Sequence, residues 1–336
     1  MQDRLIFLIG APRSGTTLLA RMLGAHSAVH GGPEPHLITP IAHLGYHGRV
    51  DKAPYDPFIV AEAARTLVEG LPAGERDYLD ALRAYTDHLY GRMLAKSGKR
   101  FLLDKTPANA LVLPFLAALY PNARYVVLTR HPAAVFASFA ESFFDDDYDV
   151  AHAHNPILER YVPAIAEFLR EKPAPLVHLN YETLVSEPEA EMKRILDFVG
   201  LPFEAGTIEY GGEAEGPKVA GLGDPITVGR HTRPMTASVE KWAETLGGDA
   251  AKLEKVRRMT DRLDPADLEV WGYPQARLYD AIAAFQGRPL PERRARLTRY
   301  RLERKLLVVL RRNIHHNWLG RQLKRLRFAL DVLLRE

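Results

Sequence analysis

The chain contains no cysteine, which excludes disulfides and thiolate-held metal sites. No apolar run approaches the roughly 18 residues of a membrane-spanning helix. The first apolar stretch, "LIFLIG", is too short for a secretory core and is followed by no cleavage site, so a cytoplasmic protein without a signal peptide is expected. Acidic residues are scarce in the last fifty positions: residues 287–336 hold 15 Lys/Arg against 4 Asp/Glu, while residues 1–286 hold 30 against 38. An acidic body therefore carries a basic tail, and the net charge of +3 hides the division.

The 336 residues, 46% hydrophobic and 26% charged, suffice for one large globular domain with appendages. Short apolar segments bounded by turn signals read as buried parallel strands at 4–10, 123–130 and 174–181, with a weaker one at 99–105. Helical patterns separate or follow them at 16–25, 107–120, 131–143, 156–171, 187–199, 236–247, 250–263 and 265–285. This alternation predicts an α/β fold, a phosphate-loop-like doubly wound and mainly parallel sheet flanked by helices. Residues 1–286 form the expected α/β domain, with a helical insertion at about 55–98 over the C-terminal edge of the sheet. A long Gly- and Pro-rich stretch at 210–234 has the composition of a functional loop, and 287–336 reads as a basic amphipathic helical tail.

The turn "GAPRSGTT" (10–17) leads from the first strand into the first helix. Gly10 and Gly15 have phosphate-loop spacing, but Thr16 stands where such a loop has Lys and Thr17 where it has its hydroxyl. Backbone N–H groups at such a turn converge with the helix N-terminus on an anion. Without the Lys, the usual magnesium–nucleoside triphosphate arrangement is disfavoured, and Arg13 supplies a cation from inside the loop.

"PRSGTTLL" resembles the 5′-phosphosulfate loop of sulfotransferases that use 3′-phosphoadenosine 5′-phosphosulfate (PAPS). Three further segments match that family in order: "LDKTPANA", "YVVLTRHPAAVFASF" and "LNYETLVSEP". The resemblance implies that Arg13, Ser14, Gly15, Thr16 and Thr17 hold the 5′-phosphate and sulfate. It also implies that Arg130 and Ser138 hold the 3′-phosphate, and that Tyr181 lies at the adenine. "VGRH" resembles, in part, the family's Gly-Arg element, which would add Arg230, although Val228 replaces the usual Lys. The implied donor is PAPS, the implied product is adenosine 3′,5′-bisphosphate (PAP), and no metal is expected.

Sulfuryl transfer depends on positioning and charge stabilisation. Arg13 and Lys105 are the candidate cations around the departing oxygen. "GGPEPHLITP" resembles the family's acceptor-side segment and places Glu34 as general base toward an acceptor hydroxyl, with His36 as the competing base. Pro33 and Pro35 favour extended backbone, which would put Glu34 and His36 on one side. His26, His30, His43 and His47 form no convincing ligand set.

The basic tail admits several readings: a helical pair packed on the body, or a contact for anionic lipid at the membrane periphery, an acidic partner or a second copy. No nucleic-acid partner is expected, since only Tyr300 and Trp318 approach an interleaved aromatic pattern. Two rival functions differ in kind. A phosphate-loop nucleotide kinase or NTPase is disfavoured by Thr16 and by the lack of an acidic strand end for magnesium. A non-catalytic protein of the same fold is disfavoured by the complete set Arg13, Glu34, Lys105, Arg130 and Ser138.

Overall fold

The computed structural model describes residues 1–47, 57–144, 146–210 and 232–286, together with Trp318 and Gln322. Its centre is a five-stranded parallel sheet of β1 (Leu5–Ile9), β2 (Val29–Gly31), β3 (Phe101–Asp104), β4 (Arg124–Thr129) and β5 (Leu176–Asn180), in the order β2-β3-β1-β4-β5. Leu5 pairs with Leu102, Ile6 with Arg124, and Tyr125 with Leu176, so β1 is flanked on both sides.

Every residue of β1 is buried because both faces of the sheet are covered. Leu5, Phe7 and Ile9 join one core and Ile6 and Leu8 the other, the alternation a strand imposes. On the Ile6 face lie α1 (Thr16–Gly24), α9 (Tyr181–Ser186) and α10 (Pro188–Val199), which supply Leu19, Met22 and Leu23 and then Leu184, Ile195 and Leu196. On the Phe7 face lie α5 (Leu113–Leu119), α6 (Pro132–Phe143), α7 (Tyr148–His154) and α8 (Ile157–Glu171). They are joined there by α11 (Lys241–Gly247), α12 (Ala250–Thr260) and α13 (Pro265–Trp271). Three further α-helices are α2 (Ile38–Ala42), α3 (Pro57–Glu69) and α4 (Glu75–Ser97).

The chain leaves β1 toward β2 on one side and reaches β4 on the other, so the direction of winding reverses beside β1. In open parallel sheets the crevice at such a reversal, at the strand C-termini, is the usual ligand position. The loops after β1 and β4 carry Gly10–Thr17 and Arg130 to that crevice.

Several expectations are revised. The three-residue edge strand β2 and the short helix α7 were not anticipated. The helix expected over 265–285 stops at Trp271, because Gly272 takes φ +97° and Pro274 follows; 3₁₀ turns at Gln275–Arg277 and Asp280–Ala284 replace its remainder. Likewise 236–247 divides into a 3₁₀ turn at Thr236–Ser238 and α11.

Candidate active site

A cavity of about 380 Å³ opens at the crevice. Gly15, Thr16 and Thr17 line it where α1 begins without a side-chain cap, leaving that helix end suited to an anion. Gly15 is required there. Its φ is +96°, and a Cβ would lie 2.4 Å from Cδ2 of Tyr181. Arg13 also has positive φ, +70°, and its Nε donates to Oγ of Ser138 at 3.2 Å while the guanidinium lies 5.8 Å from the centre of the Phe143 ring.

Arg130 enters from the end of β4. Its two terminal nitrogens donate to the carbonyl oxygens of Arg13 and Ser238, each at 3.1 Å, and its guanidinium lies 4.4 Å from the centre of the Tyr181 ring. The Nε is shut off from solvent and has no hydrogen-bond partner among the described residues. Burial lowers the Arg130 pKa; Tyr181 and Glu182 oppose that shift and Arg13 adds to it. Among the described residues, no carboxylate lies within ion-pair distance of this guanidinium. Among the described residues, Arg13, Arg130, Arg233 and Lys241 line the cavity against one carboxylate, Glu141, which pairs with Lys241. The charge balance favours a polyanion.

A second cluster forms at the C-terminal end of β3. Lys105 donates to Oε1 of Glu34 at 2.5 Å, with both side chains largely buried. Nε2 of His36 lies 3.2 Å from Oε2 of the same carboxylate, without hydrogen-bonding geometry. The buried Asp104 before Lys105 accepts from Tyr90 at 2.5 Å, Thr106 at 2.8 Å and Asn109 at 3.4 Å. Burial pushes the Asp104 carboxyl up, and those hydrogen bonds act against the shift. Asn109 in turn accepts from Thr39 at 3.3 Å, so the segment carrying Glu34 is bound to the segment carrying Lys105 at two places.

The sequence pattern of the sulfotransferase family matches residues 5–205. The chain belongs to that family. This sulfotransferase is 29% identical to the nodulation protein NoeE of Sinorhizobium fredii over 320 residues, covering 87% of this chain and 71% of that one. It is 26% identical to protein-tyrosine sulfotransferase 1 of Danio rerio over 212 residues, covering 61% and 56%. Among solved structures it resembles the sulfotransferase domain of the curacin biosynthetic pathway, with TM-score 0.51 and 25% identity over 76% of this chain and 96% of that one.

Of the residues singled out from the sequence, Arg13, Gly15, Thr16, Thr17, Arg130, Ser138 and Tyr181 line one cavity. Glu34, His36 and Lys105 form the second cluster and do not line that cavity. Glu34 and His36 meet without the extended backbone expected there, because His36 has φ +49°. Ser14 is different in kind: it is fully buried, and both its N–H and its hydroxyl are directed to the Ala11 carbonyl, at 3.1 and 2.7 Å. It braces the loop. Arg230 lies outside the described residues, as does nearly all of the basic tail.

The sequence reading missed Arg233, Ser238, Lys241 and Trp242, which wall the cavity opposite the loop. Ser238 also exchanges a hydrogen bond with the Tyr181 hydroxyl at 2.7 Å. Arg233 falls in the 210–234 stretch read as a functional loop; the segment carrying the other three was legible only as helical, since its place against α6 is a tertiary fact. Among the described residues, no group of His, Asp and Glu is arranged to hold a metal ion, and no helix is long and apolar enough to cross a membrane.

Proposed function

We propose that this sulfotransferase moves the sulfuryl group of PAPS to an acceptor hydroxyl and releases PAP, with residues 1–286 as the catalytic unit and 287–336 as an appendage. The observation that carries the donor assignment is Arg130: a guanidinium at the cavity wall, with a shielded Nε that has no hydrogen-bond partner among the described residues, beside Ser138 and a glycine-turned helix start. A bisphosphate nucleotide fits this chemistry, one anion at the loop and the other at the Arg130 side.

When bound, PAPS supplies an activated sulfuryl group on its phosphosulfate linkage. Thr16, Thr17 and the start of α1 hold the 5′ end, Arg130 and Ser138 hold the 3′-phosphate, and Tyr181 lies against the adenine. Arg13 and Lys105 stabilise the negative charge that grows on the departing oxygen. Glu34 takes the acceptor's proton. Its carboxylate is fixed by Lys105 and shielded from bulk water, so its placement costs little reorganisation during the reaction. His36 is close enough to relay or replace that role. A hydroxyl acceptor accords with the zebrafish relative, whose name gives tyrosine in protein as its target.

Thermal unfolding with PAP, AMP, or ATP plus magnesium tests the donor assignment. PAP should raise the melting temperature most. A larger rise with ATP and magnesium would favour the kinase reading and overturn this one.

A further inference from the structure

The peptide group joining Arg130 to His131 is gripped from both sides. Its carbonyl oxygen accepts from Nε1 of Trp271 at 2.9 Å, and its N–H donates to Oε1 of Glu182 at 3.2 Å. The two groups of a trans peptide point in opposite directions, so α13 holds one edge of the plane and α9 the other. The grips are also joined to each other, because Tyr273 donates its hydroxyl to Oε2 of Glu182.

The next side chain is held as well. Nε2 of His131 donates to the Leu278 carbonyl at 2.8 Å, and the imidazole stacks on Trp242 with centres 3.9 Å apart and planes at 17°. Trp242 lines the nucleotide cavity. The backbone from which the Arg130 side chain departs is therefore fixed by three segments distant in sequence.

Ordinary strand ends need no such apparatus, since water satisfies a terminal peptide. Here a buried indole, a carboxylate and a phenol converge on one peptide, immediately after the guanidinium assigned to the 3′-phosphate. A side chain that must meet a dianion gains affinity when its direction is set before the ligand arrives.

We propose that Trp271 and Glu182 are positioning residues for recognition of the 3′-phosphate: they lock the 130–131 peptide and so aim Arg130. Residues 265–278, beyond the 5–205 matched by the family pattern, then belong functionally to the nucleotide site. This rests on the donor reading above.

The test is calorimetric binding of PAP and of AMP, which lacks the 3′-phosphate, to the full chain and to Trp271→Phe, Glu182→Ala and Glu182→Gln. The unaltered chain should prefer PAP; no preference would sink the donor reading itself. Trp271→Phe and Glu182→Ala should each lose about tenfold in PAP affinity, with AMP affinity changed by less than about twofold. Glu182→Gln, whose amide oxygen still accepts from the His131 N–H, should recover most of that loss. If the variants retain the original PAP-to-AMP preference, because both nucleotides are unaffected or weaken in step, the residues are merely structural and the proposal falls. Should Trp271→Phe fail to fold, the two Glu182 variants decide the matter alone.

Discussion

Glu34 and Lys105, 71 positions apart, meet at 2.5 Å between the segment after β2 and the end of β3. Each side chain is only about a tenth exposed, at 13% and 10%. A pair so placed has two consequences: it fixes the carboxylate geometrically, and it makes each charge dependent on the other.

Glu34→Gln should lower kcat by about 10²- to 10⁴-fold, the usual contribution of a positioned general base. PAP binding, assigned to the cavity that Glu34 does not line, should be unchanged. Steady-state turnover with any accepted hydroxyl substrate, together with calorimetry on PAP, checks both halves. Retained turnover would move the base role to His36.

Lys105→Met should reduce both activity and stability. Removing one partner of a shielded ion pair strands the other charge, with a cost of about 3 kcal/mol. The double variant Lys105→Met with Glu34→Gln should recover much of the stability and none of the activity. A double-mutant cycle in denaturant separates the two effects. A stability loss that is simply additive would show that the pair is not coupled.

The sheet was largely legible because β1, β3, β4 and β5 are apolar runs ended by turn residues, and parallel strands buried on both faces must look like that. β2 was not, since "VHG" is three residues on an edge and carries no periodic signal. The loop was legible from its glycine spacing and hydroxyls at a strand end, whereas Arg130, Ser138 and Tyr181 were legible only through the resemblance of their segments to sulfotransferases. Ser238, Lys241 and Trp242 were illegible for a physical reason: they reach the cavity only when α11 packs on α6, and local pattern does not encode that contact. Ser14 shows the converse. Its type suited an anion, yet its hydroxyl is committed to the loop's own backbone at Ala11.

Acid should weaken the fold through His131 and His178. Burial brings each imidazole down to about 4, from an ordinary 6.5, with Arg194 adding to the effect at His178. Between those values the unfolded chain binds protons that the folded chain rejects, so stability is complete above about 6.5 and falls as pH drops toward 4. Asp104, whose carboxyl is raised by burial, pulls in the opposite direction. The melting temperature should therefore decline by several degrees from about pH 7 to about pH 5, and His178→Gln should decline less steeply. An identical slope in the variant would remove His178 from the account.

Gly15→Ala should damage the nucleotide site twice over. A methyl group would sit 2.4 Å from the Tyr181 ring, and the residue would have to hold φ +96°. The backbone strain alone is of order 1–3 kcal/mol, and pushing Tyr181 aside would also disturb the Arg130 guanidinium resting on it. The two causes are separable. Adding Tyr181→Ala removes the clash and leaves the strained φ, so the double variant should regain part of the melting temperature. It should not regain PAP affinity, because the loop still cannot take its native turn and the ring beneath Arg130 is gone. Full recovery of binding in the double variant would show that the loop conformation is not what the nucleotide requires.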